Sequence, residues 1–209
     1  MVIPNGYGEK KRVGILGSTF DPVHNGHLAI AREARAELEL EEVIFVPAGR
    51  PWMKAGQDIA PAADRVEMVR LAIAGQDWCR LSTIEIDRPG PTYTVDTLEA
   101  LRVEYGGDAE LYFIMGWDSL PGLPRWKEPL RIIRLCTLVA LPRPGSPRPD
   151  IIALERAIPG LLGRLIILER PEVDVSATEI RERIAAGLPV SDLVPEAVAE
   201  YIGEKGLYR

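Results

Sequence analysis

Short apolar runs that suit buried strands alternate along this chain with stretches of helical periodicity, and that alternation leaves few folds open. Residues 12–17 read as a first strand. Residues 27–40 follow as a helix, with Leu28, Ala31, Ala34 and Leu38 on one face and Arg32, Glu33 and Glu37 on the other. The pattern then gives a strand at 42–47, a helix at 64–74, a strand at 80–86, a helix at 95–105 and a strand at 110–116. Two further strands fall at 137–141 and 165–169. This order predicts an α/β fold, Rossmann-like and doubly wound, with a mostly parallel sheet covered on both faces by helices. In such sheets a ligand lies beyond the carboxyl ends of the strands, where the strand order reverses. The tail from Ser176 reads as helical to near Tyr208 and is expected to dock as a small cap. The expected division is therefore a core over 1–175 and a helical part over 176–209, packed on the same domain. Residues 142–150 hold four prolines and read as a stiff surface loop.

A chain of 209 residues with 46% hydrophobic and 27% charged side chains can bury a sizeable core. Its net charge of −6 lacks the basic footprint that nucleic-acid and membrane-surface binders need. An anionic small substrate stays open, provided the positive groups gather in one cleft. No apolar run approaches the roughly 20 residues that span a bilayer. The first residues also lack the order of basic, apolar and cleavage regions of a signal peptide, so a cytoplasmic protein is expected. Cys79 and Cys136 form no CxxC pair and read as two reduced thiols.

The most informative segment is Gly17-Ser18-Thr19-Phe20-Asp21-Pro22-Val23-His24-Asn25-Gly26-His27, at the junction of the first strand and the first helix. Gly17 lets backbone come close to a ligand, and Ser18 and Thr19 offer N–H and hydroxyl donors. The helix that follows turns its unpaired N–H groups and positive dipole end toward the same space, which makes a phosphate cradle. Both histidines of the chain, His24 and His27, stand here three residues apart. At that spacing they can face one side and stabilise charge on a phosphate. Two other readings of the pair stay open on the residues alone: structural histidines, or a metal site of Asp21, His24 and His27. Neither G-x-G-x-x-G nor G-x-x-x-x-G-K-[ST] is present.

A second segment, Val175-Ser176-Ala177-Thr178-Glu179-Ile180-Arg181, has the capping-box pattern of Ser176 with Glu179 three residues on. A plain helix start explains it. A helix N-terminus bearing two hydroxyls and Arg181 would equally clamp a triphosphate.

The first segment resembles the T-F-D-P-x-H-x-G-H signature of the HxGH nucleotidyltransferase superfamily, and the second its I-S-S-T-x-I-R signature. The chain departs at Ser18, where many relatives carry glycine, and at Ala177, where they carry serine. Residues 47–54, 90–98, 113–126 and 193–208 are similar to stretches of the bacterial nicotinate-mononucleotide adenylyltransferases, so the resemblance runs from about Val13 to Tyr208. It implies transfer of the adenylyl group of ATP, the co-substrate, to nicotinate mononucleotide in NAD biosynthesis, with Mg²⁺ carried by the ATP and no dedicated protein metal site. By the same resemblance His24, His27 and Arg181 are catalytic. Gly17, Ser18, Thr19, Phe20, Lys54, Gly116, Asp118, Ser176 and Thr178 serve ATP and its phosphates. Tyr93, Thr94 and Trp126 receive nicotinate mononucleotide, Trp126 by stacking on the pyridine ring. Homo-oligomerisation is left open, as are another acceptor nucleotide and a non-catalytic nucleotide sensor built on the same fold.

Overall fold

The computed structural model describes residues 10–50, 58–143, 145–170 and 174–209. In chain order its elements are β1 (Lys11–Ser18), α1 (Asn25–Leu38), β2 (Glu42–Pro47), α2 (Ala62–Ala72), β3 (Cys79–Leu81), α3 (Thr94–Tyr105) and β4 (Ala109–Gly116). There follow a 3₁₀ helix (Trp117–Arg125), α4 (Pro129–Leu135), β5 (Thr137–Leu141), α5 (Ile151–Ala157), β6 (Leu165–Ile167), α6 (Ala177–Ala185) and α7 (Glu196–Lys205). The six strands pair in parallel in the order β3-β2-β1-β4-β5-β6. The doubly wound parallel sheet is thus as the alternation predicts, and its order reverses between β1 and β4. A crevice opens at that reversal.

The sheet is apolar on both faces, which is why its strands read as unbroken hydrophobic runs. Val13 and Ile15 of β1 pack with Ile44, Leu111 and Phe113 under α3, α4 and the 3₁₀ helix. Leu16 points the other way, into a cluster of Phe45, Ile114, Leu28 and Met68 under α1 and α2. Ile180 of α6 and Val198 and Ile202 of α7 belong to that same cluster, so the tail shares the core of the sheet.

Three local readings need correction. The strand expected at 80–86 is only Cys79–Leu81, because the chain turns at Thr83: its carbonyl accepts from the N–H groups of Ile86 and Asp87, and its hydroxyl donates to Asp87 at 2.7 Å. The apolar alternation of Ile84 and Ile86 belongs to that turn. Helices α4 and α5 were not foreseen; each is seven residues long, too short to declare a period. The tail is two helices rather than one. Gly187 (φ 70°) ends the first with its N–H on Ile184 O, and Pro195 opens the second. Among the described residues no helix is long and apolar enough to cross a membrane.

Ile15 is fully buried on a central strand. Ile15→Ala is expected to lose about 2–5 kcal/mol of stability, read as a lowered urea midpoint at unchanged m-value.

Candidate active site

The segment between β1 and α1 crosses the crevice. Phe20 takes a left-handed backbone (φ 52°) and buries its ring edge-on to His27 at 4.8 Å, with Phe45 beyond at 5.8 Å. His24 then caps α1 in an extended conformation (φ −147°), and its backbone N–H donates to His27 Nδ1 at 3.3 Å. An Nδ1 that accepts leaves the proton of a neutral imidazole on Nε2. That N–H is in reach of Ser18 Oγ at 3.2 Å. The two imidazoles lie 3.8 Å apart, centre to centre. Gly26 permits this closeness, since a Cβ there would stand 3.0 Å from His24 Nδ1. His24 is buried, and its Nδ1 has no hydrogen-bond partner among the described residues. Burial, helped by the nearby Arg143 charge, pulls its pKa down to about 4.

Under the loop lies a polar frame. Arg65 of α2, fully enclosed, donates to Thr19 O at 2.7 Å and Ala60 O at 3.0 Å. The buried carboxylate of Asp21 accepts from Ala60 N–H at 3.2 Å and from the Tyr208 hydroxyl at 2.8 Å. Arg181 Nη1 donates to Asp21 O at 2.7 Å and lies 3.9 Å from its carboxylate. Asp21 is therefore engaged in framing the loop. Among the described residues no three His, Cys, Asp or Glu side chains are grouped to hold a metal ion.

The histidines open into a cavity of about 470 Å³ that runs across the β1–β4 reversal. Its far wall carries Tyr93, Thr94 and Trp126. Tyr93 and Thr94 stand at the start of α3, and Trp126, just after the 3₁₀ helix, meets Phe113 edge-on at 6.1 Å. The buried Trp126 Nε1 has no partner among the described residues. Lys127 reaches the Tyr93 ring at 4.8 Å and pairs with Asp96 at 2.9 Å. Between the two ends, Gly116 leaves the space that Asp118 Oδ1 fills, and Asp118 pairs with Arg143 at 2.9 Å.

Of the residues singled out in the sequence, Gly17, Ser18, Thr19, His24, His27, Tyr93, Thr94, Gly116, Asp118 and Trp126 meet in this cavity. Phe20 does not line it and supports His27 from the core. Ser176, Thr178 and Arg181 sit just outside, at the start of α6. There Ser176 Oγ accepts from Glu179 N–H at 3.1 Å, as the capping pattern predicts. The neighbouring Val175 does line the cavity, so α6 begins at its rim. Lys54 lies outside the described residues. Sequence reasoning missed Glu85, Thr92, Lys127 and, in the motif itself, Gly26 as wall residues, and Arg143 lines the cavity with them. Glu85 was hidden in the misread third strand. Burial raises its pKa, while bonds from Thr97 (2.8 Å) and Thr92 oppose the rise. Arg143 follows the carboxyl end of β5, the place where the strand-end rule puts ligand contacts.

A cytidylyltransferase-like family model matches residues 15–183. A probable nicotinate-nucleotide adenylyltransferase of Dehalococcoides mccartyi is 54% identical, over 94% of this chain and 97% of its own length. One from Acidothermus cellulolyticus is 42% identical, over 97% and 96% respectively. Among solved structures, the nicotinic acid mononucleotide adenylyltransferase of Plasmodium falciparum complexed with NaAD superposes with a TM-score of 0.78 at 17% identity, over 95% of this chain and 97% of that one. At that identity the likeness is one of fold.

The burial of His24 has a pH consequence. The unfolded chain takes up this proton near pH 6.5 and the folded chain only near 4, so stability is full above about 6.5 and declines as the pH falls toward 4. An NMR titration of the ligand-free protein should show one imidazole staying neutral down to about pH 4. If both histidines titrate near 6.5, the buried placement of His24 is wrong.

Proposed function

The chain belongs to the nicotinate-nucleotide adenylyltransferases, within the cytidylyltransferase-like family, and from that membership we propose that it transfers the adenylyl group of ATP to nicotinate mononucleotide. The products are nicotinate adenine dinucleotide and pyrophosphate, a step of NAD biosynthesis. One observation carries the reading at this chain's own site: a single cavity joins a phosphate-binding end, where α1 begins at His24, to an aromatic end at Trp126.

In this reading the 5′-phosphate of nicotinate mononucleotide attacks the α-phosphorus of ATP in line. A new P–O bond forms to the acceptor as the bond to the pyrophosphate oxygen breaks. The nucleophile is already an anion, so the protein need not remove a proton. Its work is alignment and the stabilisation of charge on the transferring group. His24, kept neutral by its burial, and His27 serve here as hydrogen-bond donors. The N–H groups at the start of α1, with Gly17, Ser18 and Thr19, complete the cradle. Lys54, Ser176, Thr178 and Arg181 are assigned to the phosphates on their sequence pattern. Gly116 and Asp118 are assigned to the ATP ribose, and Trp126, Tyr93 and Thr94 to the pyridine ring and its carboxylate. Mg²⁺ fits as the companion of the triphosphate, because the described walls offer carboxylates at Asp118 and Glu85 but no group of three ligands. There it supplies neutralisation of the phosphate charge. The reading also implies a cytoplasmic enzyme whose partners are these two small molecules.

Pyrophosphate release with Mg-ATP is expected with nicotinate mononucleotide, and at a much lower rate with its amide. Equal rates would remove the carboxylate from Thr94 and Tyr93; no release with either would overturn the activity. His24→Ala should lower kcat by about 10²–10³-fold with the fold intact by circular dichroism.

A further inference from the structure

We propose that Tyr208 is a positioning residue for the transfer step, acting through Asp21 to set the geometry of the histidine loop. The inference rests on the adenylyl-transfer reading above for its kinetic arm alone.

The contact is long in sequence and half-buried, between a partly exposed phenol and a buried carboxylate. Tyr208 lies beyond α7, yet its hydroxyl donates to Asp21 Oδ1 at 2.8 Å across 187 residues. The tail bends sharply to bring it there. Gly206 (φ 63°) ends α7, and Tyr208 itself adopts a left-handed backbone with φ 63°. A bulky aromatic residue in that region is strained and keeps the conformation only where its surroundings hold it. Here the holding contact is a hydrogen bond from a phenol to an enclosed carboxylate, the stronger, charge-assisted kind. Burial and the adjacent carboxylate both push the phenol pKa up, so the hydroxyl remains a donor throughout the working pH range.

Asp21 passes the constraint onward. Its other tethers are Ala60 N–H at 3.2 Å and the Arg181 guanidinium, which grips its carbonyl at 2.7 Å. Between Asp21 and His24 stand only Pro22 and the fully buried Val23, with no slack to absorb a displacement. The His24 backbone N–H then fixes the His27 tautomer, and His27 meets Ser18. A single hydroxyl beyond α7 thereby bears on both imidazoles from outside the cavity. A misplacement near 1 Å at such a site can cost up to about 10²-fold in rate.

The chain has only two histidines, so imidazole NMR reads the loop directly and without catalysis. Tyr208→Phe removes one oxygen. In the folded full-length variant the His24 and His27 imidazole signals should shift, and kcat should fall about tenfold while KM for ATP and for nicotinate mononucleotide stays within about twofold. Arg209→Ala is the control, since among the described residues Arg209 bonds the tail itself, at Gly203 O (3.1 Å), and it should leave spectrum and kcat unchanged. Unchanged imidazole signals in Tyr208→Phe overturn the proposal, as does an equal loss of kcat in Arg209→Ala. If Tyr208→Phe does not fold, Tyr208→Leu takes the same measurements, with shifts in the same two imidazoles expected and their absence overturning the proposal. Should the wild type release no pyrophosphate, the transfer reading falls, and the imidazole spectra still decide whether the tail sets the loop.

Discussion

The parallel pairing of β1 with β4 is the constraint from which the cavity follows. Their register runs from Lys11 opposite Ala109 to Leu16 opposite Ile114, so both strands end at nearly the same level. Beyond that level their continuations part: β1 leads into the loop of Ser18 and His24, and β4 into Gly116 and the 3₁₀ helix. The chain must leave the two neighbours in different directions, because β1 connects outward to β2 while β4 connects to β5 on the other side. The gap between them needs no carving. It is what remains when two parallel half-sheets meet back to back.

A gap alone would collapse or fill with side chains, and a buried polar frame prevents that. Arg65 satisfies carbonyls at Thr19 and Ala60, and Asp21 collects donors from Ala60 and Tyr208. Each of these groups would be expensive to bury alone, and together they satisfy one another. The loop is thus held from beneath by hydrogen bonds, and its upper side, with Ser18 and the imidazoles, is left to face the cavity.

The parts of this molecule that announce themselves locally were legible in the sequence. The runs at β1, β2 and β4 are long and apolar enough to be read, and the segment from Gly17 to His27 places its glycine, hydroxyls and histidines in a spacing few other structures need. Ser176 and Glu179 likewise predict a helix start that is present. What escaped was set by tertiary context. Glu85 and Ile86 look like strand residues until Thr83 diverts the backbone, and Arg143 and Lys127 become wall residues only through the packing of distant loops. The Asp21–Tyr208 bond joins residues 187 apart, beyond the reach of any periodicity. Phe20 illustrates the reverse case. It belongs to the motif, yet its ring serves the core beneath His27.

The Arg143–Asp118 pair at the cavity mouth is loosely held, with the two side chains 50% and 30% exposed to water. Pairs in such a setting contribute about 0–1 kcal/mol, so the guanidinium can part from its carboxylate at almost no thermodynamic penalty, and the wall of the cavity can redistribute its charge without disturbing the frame beneath it.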